Sequence, residues 1–297
     1  MSKYKIAIMK SILNFCILIF ILSCTKDENP QPIQTQGYNM LLIGNSFFKP
    51  YADHLSNLAT EANLNEHIST VVKRGGELGI PINLWNDSNT EEHQLIKSTL
   101  DQGNIEVFGM TSGYDIDSEN PTEGHSAWIQ YALQKNPNII IFIAIGSFDF
   151  PNGDSNSTRP DWDTFASDNG FNSIQEFYDY YITEAIHKEI VDELREEFPS
   201  TKIFTIPTGW ATKNLAQMNL DNELLDDISM VGPKSSSIFT DEKGHQGQIV
   251  IETGTMIWLN SIYNVDLSSF NYDTGFTTDL NSIAQEIING HNSNYKF

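Results

Sequence analysis

Three groups of residues in this chain have the types and spacing for nucleophilic chemistry. The first is Gly44-Asn45-Ser46, which ends the apolar run Met40-Leu41-Leu42-Ile43 and shortly precedes Pro50. A short apolar run bounded by turn residues reads as a buried strand, and proline suits the first turn of a helix. Ser46 therefore falls at a strand-to-helix turn, where the end of a parallel strand and the N–H groups of the next helix face a bound ligand. An ordinary turn serine fits that place too. The second group is Asp241-Glu242-Lys243-Gly244-His245, in a loop just before a predicted helix from about Ile249 to Tyr263. A histidine with carboxylates three and four residues before it can act as a base oriented by an acid. The third is Lys73-Arg74-Gly75-Gly76-Glu77-Leu78-Gly79, a glycine-dense turn after a predicted strand from His67 to Val72. Glycines let backbone N–H groups approach a bound atom closely, although a plain loop has the same composition.

These groups need a frame. Leu55, Leu58, Ala59 and Ala62 recur at helical spacing, so residues 51–63 read as an amphipathic helix. Residues 90–100 and 126–135 read as further helices, 105–110 and 202–206 as strands, and 138–145 as the most apolar, central strand. Ser173 caps a long helix to Phe198, and Leu280 to Ile288 forms a last one. Strands alternating with helices imply a mostly parallel, five-stranded sheet covered on both faces, a flavodoxin-like three-layer α/β/α sandwich. Residues 146–171 read as one long loop leaving the sheet's carboxyl edge, and Thr208-Gly209-Trp210 as the start of a looser acidic segment.

Other candidates are weaker. Met110-Thr111-Ser112-Gly113 fails as a Gly-x-Ser-x-Gly elbow because threonine holds the central position. Asp115, Asp117 and Glu119 lack the glycine and terminal glutamate of a calcium loop. His54, His67, His93, His125 and His187 form no ligand pair, so no metal site is expected, and no glycine loop with phosphate or dinucleotide spacing points to a cofactor. Trp162 and Trp210 near the carboxyl edge could stack on sugar rings, although tryptophans more often pack in a core.

The N-terminus reads as an export signal. Lys3, Lys5 and Lys10 precede an apolar run from Ile12 to Leu22, which is shorter than the ~20 residues that span a bilayer. Ile21-Leu22-Ser23-Cys24 resembles the lipobox of bacterial lipoproteins, in which the cysteine is acylated and becomes the new N-terminus. The expected organisation is a signal over 1–24 ending at lipidated Cys24, a flexible tether over 25–37, and one domain over 38–297. Cys16 leaves with the signal, so the mature chain can form no internal disulfide. Losing three of 17 basic residues leaves 14 against 39 acidic ones, a net charge of about −25 that repels nucleic acid. The protein is expected to be a monomer in the bacterial cell envelope, at the outer membrane, held to it through the Cys24 anchor.

Taken together, the three groups resemble the SGNH hydrolases, also called GDSL-type esterases, over about residues 38 to 263. The resemblance implies Ser46 as nucleophile, His245 as base, Asp241 or Glu242 as the acid, and backbone N–H groups at Ser46 and Gly76 as oxyanion donors. The family spacing favours Glu242; Gly244 loosens the turn, and Asp241 is the preferred candidate. The family's third block reads Gly-x-Asn-Asp, its asparagine amide being a further donor, but this chain has Gly146-Ser147-Phe148-Asp149. Ser147, Asn45 or a backbone N–H must then replace that amide, with Asp149 beside them, or turnover falls by ~10²–10³. The implied activity is hydrolysis of an acyl ester, acetyl among the candidates, on a carbohydrate or another small molecule. A binding lipoprotein that has lost turnover is the alternative.

Overall fold

Met40, Leu41, Leu42 and Ile43 are wholly buried, as a strand covered on both faces must be. They form the middle of β1 (Asn39–Gly44) in a computed structural model that describes residues 36–113, 120–151 and 161–297. The signal segment, Cys24, nearly all of the tether, the acidic group at 115–119 and most of the loop after Pro151 lie outside the described residues.

β1 pairs in parallel with β2 (Ile68–Lys73), Asn39 opposite Ile68, and with β3 (Val107–Thr111), Met40 opposite Val107. β4 (Ile140–Ala144) and β5 (Ile203–Ile206) complete an all-parallel five-stranded sheet in the order β2-β1-β3-β4-β5. That is the flavodoxin-like order, whose crevice opens at the carboxyl ends where the winding reverses, between β1 and β3. The fold class read from the sequence holds.

The helices in chain order are α1 (Lys49–Glu61), α2 (Pro81–Asn86), α3 (Glu91–Leu100), α4 (Glu123–Leu133), α5 (Trp162–Asp168) and α6 (Ile174–Tyr180). A π-helical stretch, Tyr181–Asp192, carries α6 into α7 (Glu193–Glu197), and α8 (Gly209–Leu220), α9 (Gln248–Tyr263) and α10 (Leu280–Gly290) follow. The period-two alternation of a strand sorts β1 between two cores. Met40 and Leu42 pack with residues of α1, α8, α9 and α10, whereas Leu41 and Ile43 pack with residues of α3, α4 and the π-helical stretch.

Two expectations need correction. The segment opening at Gly209 is helical, because Ala211, Thr212, Leu215 and Ala216 form a narrow buried stripe of mostly small side chains that carries little hydrophobic signal. The long loop is interrupted by α5, capped where the Asp161 carboxylate accepts the Thr164 N–H at 2.8 Å. Among the described residues no helix is long and apolar enough to cross a membrane.

Candidate active site

The turn at Ser46 is built by its neighbours. The Asn45 side-chain oxygen accepts the N–H groups of Phe47 at 3.0 Å and Phe48 at 3.3 Å, an Asx turn that reverses the chain directly after β1. Pro50 lies in the first turn of α1, and Phe48 anchors that turn edge-on against the buried Trp258, 5.0 Å between ring centroids. Ser46 is thereby lifted at the carboxyl end of the first strand.

His245 comes to it from the loop before α9. The Ser46 hydroxyl lies 2.9 Å from His245 Nε2, and Nδ1 of the same ring lies 2.6 Å from Asp241 Oδ2. A carboxylate on Nδ1 fixes the tautomer in which Nδ1–H donates, so Nε2 can accept the serine proton. Of the two carboxylates, Asp241 is the one that meets the ring. Its other oxygen accepts the backbone N–H groups of Lys243, Gly244 and His245 at 3.1, 3.1 and 3.2 Å. Gly244 closes this tight turn at φ +100°, a left-handed conformation suited to glycine. Partial burial pushes the Asp241 carboxyl up, but hydrogen bonds from the His245 ring and from the His245 and Gly244 backbone outweigh it and hold the group below its ordinary value.

Phe47 stacks on the His245 ring, with centroids 4.7 Å apart and planes 10° from parallel. The Gln246 side-chain amide donates to the Phe47 carbonyl at 2.9 Å, so the serine turn and the histidine loop are also joined through the backbone. Nothing in the sequence pattern indicates this stack.

The glycine turn closes on the same place. The Arg74 N–H donates to the Gly44 carbonyl at 3.2 Å, and Gly76–Gly79 form one 3-10 turn. A Cβ on Gly79 would come within 2.7 Å of Asn45 Cα and 2.5 Å of the Arg74 carbonyl, so only glycine permits this approach. Gly76 opens the turn, and the first N–H groups of a helical turn have no acceptor within it.

Asn45, Gly76, Ser147 and Asp149 all line a cleft of about 710 Å³ beside Ser46. Thr111 and Ser112, from the failed elbow motif, line it too. The loop after β4 is tied to the histidine loop where the Phe150 N–H donates to the Lys243 carbonyl at 2.8 Å. Phe148, at the position of the family asparagine, turns into an aromatic cluster, stacked on Phe177 at 5.1 Å and packed against Phe165, Tyr178 and Tyr181. The two tryptophans pack in the fold, the commoner of the two readings, and form no platform on the cleft. Trp162 is buried, donates to the Asp149 carbonyl at 3.3 Å and packs edge-on against Phe239, while Trp210 packs on Tyr178; neither lines the cleft.

The remaining six histidines have structural partners: His54 the Glu252 carboxylate, His67 the Tyr263 hydroxyl, His93 the Leu84 carbonyl, His125 the Thr111 carbonyl, and His187 and His291 the Thr205 hydroxyl. Among the described residues no cluster of three or more His, Cys, Asp or Glu could hold a metal ion.

No known sequence family and no curated protein matches the chain. Among solved structures, it is similar to a DUF4886 family protein from Bacteroides uniformis, with a TM-score of 0.51 at 12% identity over 86% of this chain and 94% of that one. It is also similar to the periplasmic domain of a lipopolysaccharide acetyltransferase from Salmonella ser. Paratyphi A, with a TM-score of 0.42 at 14% identity over 78% of this chain and 84% of that one. At these identities the likeness is one of fold alone.

Proposed function

We propose that the protein is a serine hydrolase of the SGNH, or GDSL-type, kind that cleaves an acyl ester of a carbohydrate or other small molecule. The observation that carries this is the continuous relay from Ser46 Oγ to His245 Nε2 and from His245 Nδ1 to Asp241, at 2.9 and 2.6 Å. A serine hydroxyl is a weak nucleophile until an adjacent base takes its proton. In the proposed reaction Ser46 Oγ bonds to the ester carbonyl carbon as its proton passes to His245, and Asp241 stabilises the imidazolium. The carbonyl oxygen takes the negative charge, facing the N–H groups of Ser46 and Gly76. Asn45 supplies the further amide: capping occupies its oxygen, which leaves the NH₂ to donate. Collapse expels the alkoxide, which takes the proton from His245, and water then releases the acid by the same steps in reverse.

Through the export signal and Cys24, the same proposal places the enzyme in the bacterial cell envelope, anchored by lipid to a membrane. A Cys24→Ala chain should then leave the membrane fraction.

Hydrolysis of p-nitrophenyl acetate by the native chain, compared with Ser46→Ala, tests the activity. Equal rates would sink the hydrolase reading, as would failure of a fluorophosphonate to label Ser46. Phe148 in place of the family asparagine favours the second reading, a binding lipoprotein without turnover, and the same assay separates the two.

A further inference from the structure

The cleft beside Ser46 is larger than an acetyl group needs, and one of its sides is apolar. Its floor includes Tyr51 and Trp258, which are 3% and 0% exposed. Ile80 and Ile82 enter from the segment after the glycine turn, and Phe148, Phe165, Phe177 and Tyr181 from the chain beyond β4. Ring contacts centred on Phe148 give this wall a fixed shape, since Phe148 touches Phe165, Phe177 and Tyr181, and Phe165 also packs edge-on against Phe177. Asn83, Thr111, Ser112, Ser147, Asp149 and Thr208 give the cleft a polar side as well, and Glu77 and Lys243, both solvent-exposed, also line it. A volume of about 710 Å³ lies within the range that holds ligands of drug size, so a two-carbon acyl group would leave most of it unfilled.

The lining also indicates which half of an ester enters. Asn45 and Gly76, which bear the proposed oxyanion donors, line the cleft, whereas Ser46 and His245 both lie at its side, beyond the lining residues Phe47 and Lys243. In the hydrolase reading, on which this inference rests, the leaving oxygen must face His245 to receive its proton. The substituent that runs past the oxyanion donors and away from the histidine is therefore the acyl chain. The geometry points to the cleft as an acyl-binding site for an extended apolar acyl group, aliphatic or aryl, in preference to acetyl.

The test is a series of p-nitrophenyl esters, acetate, butyrate, hexanoate and octanoate, with the cinnamate as the aryl arm, because the leaving group stays constant. Each added methylene that becomes buried should raise kcat/KM about fourfold, the equivalent of ~0.8 kcal/mol per CH₂. Even incomplete burial predicts at least a fiftyfold rise from acetate to octanoate, on the order of half that increment per methylene. Phe165→Ala should lower the octanoate-to-acetate ratio of kcat/KM. A flat or falling series from an enzyme that turns over the acetate overturns the acyl site and leaves the hydrolase reading intact. Binding of octanoate and cinnamate anions to the Ser46→Ala chain, followed by calorimetry with acetate as control, is independent of turnover. If no ester is hydrolysed yet octanoate binds and acetate does not, the apolar site stands and the hydrolase reading falls; if octanoate does not bind either, both fall. Preference between octanoate and cinnamate decides the chain type.

Discussion

Phe47 lies flat against His245, its ring parallel to the imidazole to within 10° at 4.7 Å. The residue next to the proposed nucleophile thus limits the swing of the proposed base. A face-to-face aromatic contact is worth ~0.5–1.5 kcal/mol, so Phe47→Ala should lower kcat by about tenfold as the ring gains freedom to leave the serine. Phe47→Tyr should restore most of the loss, and a steady-state comparison of the three chains checks it.

Asp241 and Glu242 can be separated directly. In the proposed mechanism Asp241→Asn leaves the loop nearly isosteric but presents the wrong hydrogen-bonding group to Nδ1, and kcat should fall by about 10⁴. Glu242→Gln should have much the smaller effect. Because the Asp241 carboxyl is held below its ordinary value in the fold, its contribution is complete above the ordinary carboxylate range. It is lost only as pH falls through the depressed value.

Placing at position 148 the asparagine of the SGNH block that the sequence resembles should not create an oxyanion donor. The Phe148 ring is embedded among Phe165, Phe177, Tyr178 and Tyr181, so Phe148→Asn would place an amide in an aromatic cluster and open a cavity. The expected cost is about 2 kcal/mol of stability, with no gain in kcat. Urea denaturation and p-nitrophenyl acetate kinetics measure the two quantities.

A pH effect follows from His125, which is 2% exposed, with its ring bonded to the Thr111 carbonyl. Burial lowers its pKa from 6.5 to about 4, against the opposing pull of the Thr111 and Pro121 carbonyls. Between those values the unfolded chain binds a proton that the folded chain refuses, so stability falls as pH is lowered through this window. The loss attributable to this ring is about 3 kcal/mol across the window. His125→Gln should show a shallower decline of Tm between pH 6.5 and pH 4 than the native chain, the two values being those that bound the histidine's shift.

Much of the fold was legible because it rests on local patterns. The β-branched and aliphatic runs at 40–43 and 138–145, separated by helical spacings, mark a parallel sheet covered on both faces, and a five-stranded parallel sheet is present. Elements were missed where the signal was carried by small or polar residues. Ala211 and Ala216 bury α8 without an apolar stripe of bulk, and the capped turn at Asp161 sits among residues that usually make loops. Ser46, His245 and the pair Asp241 and Glu242 stood out by residue type and place, and the structure brings Ser46, His245 and Asp241 together. The stack of Phe47 on His245 and the aromatic wall around Phe148 join residues with no mutual spacing rule, so only the tertiary structure displays them.

The hydrogen bond from the Gln246 side chain to the Phe47 carbonyl spans 199 positions, the same separation as between Ser46 and His245. A ribosome would therefore deliver the serine long before its partner, and a chain still being synthesised carries an unactivated hydroxyl. In the proposed enzyme, chemistry begins only when the last third of the domain has docked, so unfinished or clipped chains would be chemically silent.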